Sequence, residues 1–457
     1  MKNLTIQKLL EITAGKLLNN NYLNKPIDNF SIDTRTIKKN ECFIAIKGER
    51  FDGHKFIKMA VKQGAAAVIT ENDTNISYNL DIPVIKVENT IKTLEKIATY
   101  FRDQYPVIRI GITGSIGKTT AKELTFQLLG QYHNTLKTPK SFNNNIGIPL
   151  TCFQLKPEHK IAIFEMGTND FGEIEHLSKL IRPKFGVITC IASSHLEKFK
   201  DLQGVQKAKQ EILAGMDNNS TLFINTDDPA CVEIGRLFNG KTVTFGCKNR
   251  ADIQAKNIHS NNKQIFFTIR GIKLNTPIQG KHNIYNVLVA IAISLELNIP
   301  LEEIKETLKI LNLPSMRLET KEKNGITIIN DAYNSNLKSA LAAVEYLETF
   351  ENTRKIAILG GMLELGEKSE ELHYTLGKEA AKKNIDMLFV IGDVSRPIFQ
   401  GAKDNGMSME KLIYGCDLNQ GIKKLFNILK KGDTILLKGS RKFELEKIEK
   451  KLMKNEF

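Results

Sequence analysis

The feature that most narrows the folds open to this chain is a rhythm. Between residues 107 and 228 short apolar runs alternate with amphipathic stretches: VIRIGIT, residues 117–130, KIAIFEMG, residues 170–180, FGVITCIA, residues 201–214 and TLFINTDD. Apolar runs separated by helical periodicity read as buried parallel strands joined by crossover helices, which predicts a doubly wound, mostly parallel sheet. The rhythm breaks at residues 241–278, where QIFFTIRGIKLNTPI places turn residues between short runs. An antiparallel β insertion is expected there, followed by a helix over residues 283–297. Pro314 marks a linker at residues 312–317, and the alternation then restarts with GITIINDAY, KIAILGG, DMLFVIG and TILLKGS as strands. Upstream, residues 1–84 combine a leading helix with CFIAIKG, AAAVIT and DIPVIKV. The expected fold is α/β in three domains: a small N-terminal α/β domain (1–84), a central phosphate-loop-type parallel-sheet domain with a β insertion (85–313) and a C-terminal Rossmann-like α/β domain (314–457).

A length of 457 residues admits two to four domains, and 41% hydrophobic with 25% charged residues excludes a disordered chain or a disulfide knot. The net charge of +14 suits polyanionic partners, or equally a lysine-rich composition with no such partner. Cys42, Cys152, Cys190, Cys231, Cys247 and Cys416 form no C-x-x-C pair and read as reduced thiols. The N-terminus MKNLTIQKLLEITAG lacks a continuous apolar core and reads as an amphipathic helix rather than a signal peptide. The longest strongly apolar stretch, residues 287–295, is about half of what a membrane-spanning helix needs. A cytoplasmic location is expected.

The firmest chemical signal is VIRIGITGSIGKTT at residues 107–120: a strand, a glycine-rich turn, then Lys-Thr-Thr opening a helix. Gly114 and Gly117, around Ser115 and Ile116, let backbone approach phosphate; Lys118 adds a point charge, and the Thr119 hydroxyl, beside Thr120, can ligate Mg²⁺. Ile112 stands where the commoner G-x-x-x-x-G-K-[ST] pattern has its first glycine, so the loop is a variant. Glu165 ends the next apolar strand, at the sheet edge where α/β folds bind ligands; it is a candidate metal partner or a helix cap. His195 lies just beyond a third strand and adds an imidazole to that edge. Lys209 sits on a helix shortly after it, with no role legible from spacing. Asn283 and Asn286, three apart on one helical face, could meet a planar ligand, unless Asn283 only caps the helix. In NDAYNSN, Asp331 or Asn334 could bond a ribose or amide, or the segment is an Asx-rich turn.

Taken together, GITGSIGKTT, NNNIGIP, FEMGTNDFGEI, HLEKF, the Lys209 segment, GKHNIYNVLVAIAI, RLE at 317–319, NDAYNSN and LKGSR resemble the Mur ligases in content and order, over nearly the whole chain. Within that family, SIDTRTIKKNECFIAIKGERFDGHKF, EMGTNDFGEI and GGMLELGEKSEELH look like the branch that joins D-alanyl-D-alanine to a UDP-N-acetylmuramoyl tripeptide. The DNPR-type signature of the branch that adds the third amino acid is missing. Ile116, Gly361 and Leu337 depart from the family pattern, where a small or polar residue, the aspartate of GDM, and proline are usual.

The resemblance implies ATP-dependent amide ligation through an acyl phosphate, ADP-forming, in peptidoglycan and cell-wall biogenesis and so in cell shape, cell division and the cell cycle. It implies that Thr119 and Glu165 hold one Mg²⁺ and His195 a second, that Lys118 neutralises the transferring phosphoryl group, and that Lys209 carries a CO₂-derived carbamate that binds metal, with Lys207 the fallback. Asn283, Asn286 and Asp331 would hold adenosine, with Asn334 and Ser335 near substrate; Ser31, Thr34, Arg35, Lys47 and the loop at 47–53 would surround the uridine diphosphate. Arg35 could instead form a surface salt bridge. Because these residues sit on different domains, closure on binding is expected. The resemblance also suggests a monomer without nucleic-acid partners. Rival readings are another Mur- or folate-type amide ligase, a non-catalytic nucleotide-binding relative, and a nucleic-acid-stimulated ATPase. The last lacks support, since the chain has no Trp and no basic-aromatic cluster.

Overall fold

The computed structural model describes residues 4–19, 22–48, 51–71, 80–261 and 264–454. It is α/β, with three sheets built mainly from parallel strands and one small antiparallel sheet.

The first sheet has the order Lys16–Leu17, Val84–Lys86, Ala67–Thr70, Glu41–Ile44, Asn29–Ser31, parallel except at the Lys16–Leu17 edge. Its last strand therefore reaches Lys86, past the boundary expected at 84. The leading helix Ile6–Thr13 begins where Thr5 Oγ1 accepts the Lys8 amide at 3.3 Å and ends at Ala14, which takes the left-handed conformation at φ 55°. Phe30, Phe101 and Phe153 then join this unit to the central one, with ring centroids 4.9 Å (Phe30–Phe153) and 5.9 Å (Phe101–Phe153) apart.

The central sheet runs Ile253–Gln254, Lys241–Gly246, Thr221–Asn225, Phe185–Ile188, Ile108–Thr113, Ile161–Glu165, Thr135–Lys137, with every neighbouring pair parallel. From Ile108–Thr113 the chain steps outward to one side, then returns past it to the other. The order thus reverses beside this strand, the place where open α/β sheets bind ligands at their carboxyl ends. Helix Ile284–Glu296 is apolar almost all round; Val287, Ala290 and Ile291 pack with Ile110, Ile112, Leu124 and Leu128 behind the phosphate loop. Each fully buried aliphatic side chain of this kind contributes roughly 1.5–3 kcal/mol.

The antiparallel insertion is shorter than the sequence pattern suggested. Residues 241–246 do not belong to it, because helix Pro229–Arg236, capped by Asp228, carries the chain back over the sheet and sets Lys241–Gly246 parallel to Thr221–Asn225. Among the described residues, Lys256–Ser260, Ile265–Ile269 and Ile272–Thr276 form the antiparallel sheet.

The last sheet has the order Glu319–Lys323, Ile326–Asp331, Asp433–Lys438, Arg354–Gly360, Met387–Ile391, Leu412–Gly415. Its first two strands form a hairpin through Asn324 and Gly325, both at positive φ (54° and 75°), as a tight primed turn requires. The edge strand ETKEK was not anticipated: its charged, half-exposed face suits a sheet edge and gives no apolar run to read. No helix among the described residues is long and apolar enough to cross a membrane.

Candidate active site

A cleft of about 980 Å³ opens along the carboxyl edge of the central sheet and is lined by residues of the central and last parts of the chain. Lys118, Thr119, Glu165, His195, Asn283 and Asn286 come from the central part, and Arg317, Asp331, Asn334 and Ser335 from the last.

The phosphate loop has its shape because glycine is required twice. Gly114 (φ 137°) and Gly117 (φ 88°) lie in backbone regions closed to most side chains. A Cβ on Gly114 would sit 2.1 Å from Thr189 Oγ1, and one on Gly117 2.4 Å from Asn286 Oδ1. The neighbouring strand end pins the loop from below: Thr189 Oγ1 donates to Ile116 O at 2.6 Å, and the Ser115 amide donates to Cys190 O at 2.8 Å. Lys118 folds back so that Nζ donates to Gly114 O at 2.7 Å. Burial pulls this ammonium below the usual lysine range, with Arg317 pushing the same way and Glu165 opposing.

Glu165 is 2% exposed and holds the centre. Its Oε1 accepts from Thr119 Oγ1 at 3.1 Å and from Asn143 Nδ2 at 3.0 Å, while Oε2 lies 3.2 Å from Lys122 Nζ and takes no hydrogen bond. Thr119 Oγ1 also accepts from Arg317 Nη2 at 2.9 Å, and the Arg317 guanidinium stacks 4.4 Å over the Tyr333 ring. Among the described residues no group of three or more His, Cys, Asp or Glu could hold a metal alone. A hydroxyl beside a carboxylate with an oxygen to spare still fits Mg²⁺, which binds through one or two protein oxygens plus phosphate and water.

His195 is the residue before helix Leu196–Phe199 and sits at φ 52°. Its Nδ1 lies 2.5 Å from Glu364 Oε2, a carboxylate reaching over from the last part of the chain. The hydrogen bond from His195 holds the Glu364 carboxyl below the usual range against the opposing effect of burial. Lys209, at the end of helix Leu202–Gln210, is 1% exposed, and Lys207 is exposed. The Lys209 ammonium has no hydrogen bond or carboxylate partner among the described residues and lies 5.7 Å from the Phe199 ring. Burial pulls its pKa well down, and Lys118 adds repulsion.

The two asparagines face each other: Asn286 Nδ2 donates to Asn283 Oδ1 at 2.9 Å, and Asn283 Nδ2 donates to Gln279 O at 2.7 Å. Asn283 makes no side-chain cap bond. Asp331 ends its strand with Oδ2 2.7 Å from the buried Lys438 ammonium, which also donates to Asn334 O at 2.7 Å. Ser335 Oγ is buried without a hydrogen-bond partner.

Ser31, Thr34, Lys47 and Arg35 lie away from this cleft, and the buried Lys209 is not among the residues that line it. Ser31 Oγ donates to Asp33 O, Thr34 Oγ1 lies 3.6 Å from Met59 Sδ, and the Lys47 backbone pairs with that of Asp52 in an isolated antiparallel β-bridge. Arg35 is exposed and forks onto Asp33, with Nη2 2.6 Å from Oδ2 and Nε 2.9 Å from Oδ1. Residues 49 and 50 of the loop at 47–53 lie outside the described residues.

Arg317, Asn143, Lys122 and Glu364 are the groups that residue-by-residue reading missed. Arg317, Asn143 and Glu364 stand inside motifs quoted for the resemblance, and Lys122 follows Lys118 by one helical turn. Two of the three departures, Gly361 and Leu337, also find physical reasons, and nothing in the structure explains Ile116. A Cβ on Gly361 would approach Val394 Cγ1 to 2.6 Å and Phe443 Cζ to 2.7 Å, so the usual aspartate has no room. Leu337 opens a helix already fixed by a capping box between Asn336 and Ser339, so proline is not needed there.

Three family models match in order: the Mur ligase family catalytic domain at residues 26–102, the Mur ligase middle domain at 112–294 and the Mur ligase glutamate ligase domain at 316–441. The UDP-N-acetylmuramoyl-tripeptide--D-alanyl-D-alanine ligase of Bacillus subtilis (strain 168) is 35% identical over 99% of this chain and 98% of its own length. The crystal structure of MurF from Acinetobacter baumannii superposes with a TM-score of 0.91 at 28% identity, covering 98% of both chains. MurF ligase from Thermotoga maritima in complex with ADP gives 0.82 at 28% identity, covering 93% of this chain and 97% of that one. With full-length similarity of this kind and the motifs gathered around one cleft, the chain belongs to the Mur ligase family.

Proposed function

We propose that the protein joins D-alanyl-D-alanine to a UDP-N-acetylmuramoyl tripeptide, consuming ATP and giving ADP, phosphate and the UDP-muramoyl pentapeptide used in peptidoglycan biosynthesis. The observation that carries this reading is the full-length similarity to D-alanyl-D-alanine ligases combined with a cleft that faces a phosphate loop with Arg317, Asp331 and Lys438.

A carboxylate is a poor electrophile, and it must approach a polyanionic nucleotide. In the first step an oxygen of the tripeptide carboxylate bonds to the γ-phosphorus as the bond to the ADP oxygen breaks. In the second, the dipeptide amine attacks the acyl carbon, phosphate leaves, and the amine gives up its proton. Lys118 and Arg317 supply positive charge where phosphoryl negative charge builds up, in a cleft where preorganised charges act more strongly than in bulk water. Thr119 and Glu165 would hold a Mg²⁺ and His195 a second, and bound Mg²⁺ supplies Lewis-acid neutralisation of the phosphates. Lys209 suits N-carboxylation because burial favours the neutral amine, the form that adds to CO₂, and no partner occupies it. Gly114 to Thr120 would wrap the phosphates and Asn283, Asn286 and Asp331 the adenosine. Asn334 and Ser335 would meet substrate, and Ser31, Thr34, Arg35 and Lys47 the uridine diphosphate.

In this reading residues 1–84, 85–313 and 314–457 bind the UDP substrate, ATP and the incoming groups respectively, and they close on binding. The enzyme works in the cytoplasm, where ATP and UDP-sugars are found, and as a monomer, since one chain completes the cleft. It serves cell-wall growth, cell shape and division. The test is phosphate release with ATP, Mg²⁺ and the UDP-muramoyl tripeptide, with and without D-alanyl-D-alanine, followed by mass spectrometry. A UDP-pentapeptide that forms only with the dipeptide supports the reading; ATP hydrolysis with no such product, using either a lysine or a diaminopimelate tripeptide, overturns it.

A further inference from the structure

A buried cation sits on the carboxylate at the heart of the cleft. Lys122, on helix Lys118–Leu129, is 0% exposed. Its ammonium lies 3.2 Å from Glu165 Oε2 and 3.5 Å from Glu123 Oε1, and donates to Lys140 O at 2.7 Å. Glu123 is itself paired with Lys137. Pairing these charges off, Glu165 is matched by Lys122 and Glu123 by Lys137. Lys118 and Arg317 have no carboxylate partner among the described residues. Within this group of six side chains the charge is net positive without ligand, while Glu173 adds one negative charge to the lining of the same cleft.

We propose that Lys122 is a built-in counter-ion of Glu165, a positioning residue that makes divalent-cation binding at Thr119 and Glu165 conditional on nucleotide phosphate. A free divalent cation approaching Glu165 meets Lys118, Lys122 and Arg317 and is repelled; a bound polyphosphate reverses the sign of the field, and the cation then gains on both sides. The ammonium stands beside Oε2 while Thr119 and Asn143 donate to Oε1, so the carboxylate is held in one orientation before any cation arrives. This inference rests on the reading of Thr119 and Glu165 as the metal-holding pair.

The test is Mn²⁺ binding to the full-length protein, followed by the electron paramagnetic resonance signal of free Mn²⁺, with and without ADP and against protein-free ADP controls. The parent should bind Mn²⁺ about 100-fold more tightly with ADP than without it. Lys122→Met, which keeps the packed stem, should tighten nucleotide-free Mn²⁺ binding about tenfold and shrink the ADP-linked gain correspondingly. Parent protein that binds Mn²⁺ equally well with and without ADP, through a site that Glu165→Gln abolishes, overturns the proposal whether or not the lysine variant folds. So does a Lys122→Met variant, folded by circular dichroism, whose coupling equals the parent's. Mn²⁺ binding with ADP that Glu165→Gln leaves unchanged overturns the metal reading itself, a different result from either.

Discussion

Arg317 Nη2 donates to Thr119 Oγ1 at 2.9 Å, so a guanidinium from the last part of the chain rests on the phosphate-loop hydroxyl that also bonds Glu165. The same guanidinium lies over the Tyr333 ring, which holds it at the cleft. Replacing Arg317 by methionine removes a charge aimed at the phosphates while keeping most of the stem. A loss of kcat of about 10²–10³-fold is expected, the size seen when one preorganised electrostatic donor is removed. Steady-state phosphate release checks it, and Arg317→Lys should recover little, because an ammonium cannot stack and fork as guanidinium does.

His373 is buried, and its Nε2 accepts the Met362 amide at 2.8 Å while Nδ1 lies 2.6 Å from Ser369 O. That arrangement needs the neutral ring, with the proton on Nδ1, and it shapes the loop that carries Glu364 to His195. Burial depresses the His373 pKa below 6.5. In the window from 6.5 down to the lowered folded value, the unfolded chain binds the proton and the folded chain does not, so stability falls as pH falls through it. Each pH unit of that window is worth up to about 1.4 kcal/mol. Denaturant unfolding at pH 7.5 and 5.5 measures the loss, which His373→Gln should reduce.

Gly361 has no space for a side chain, because Val394 and Phe443 fill the place a Cβ would occupy. Gly361→Asp, which brings in the residue usual in the family, should destabilise by roughly 1–3 kcal/mol as an overpacking change. Combined with Phe443→Ala the cost should be less than additive, since the two residues share one volume. Thermal melts of the four proteins close the cycle.

Lys209 gives a prediction about CO₂. If its buried amine is carboxylated, activity at constant pH should fall when bicarbonate is stripped from the assay and return when it is added. Lys209→Met should abolish that response and lower kcat about 10²-fold or more, the order expected when a group held at the reacting centre is lost. Bicarbonate independence of the parent would overturn the carbamate.

How much of this was legible depends on range. The phosphate loop could be read directly because its demands are local: glycine at Gly114 and Gly117 follows from backbone sterics, and Lys118 and Thr119 from the helix start. Strands such as Ile108–Thr113 and Ile161–Glu165 announce themselves because a strand buried on both faces reads as a near-continuous apolar run, with Arg109 near one start and Thr113 and Glu165 at the carboxyl ends as the polar exceptions. Lys241–Gly246 was misassigned for the converse reason, since its partner Thr221–Asn225 is chosen by a crossover helix rather than by its own residues.

By itself the sequence determined the α/β alternation, the phosphate loop and the carboxylate, imidazole and amide groups at strand and helix ends, because each is set by period and backbone geometry within a few residues. Only the tertiary structure decided which of them meet. It brought Arg317 to Thr119 and Glu364 to His195 across long stretches of chain, and left Arg35 on Asp33 outside the cleft. It also buried Lys122 against Glu165 and Lys209 beside the Phe199 ring while leaving Lys207 in water. Burial and charge pairing depend on what other segments pack against a side chain, and no local pattern carries that information.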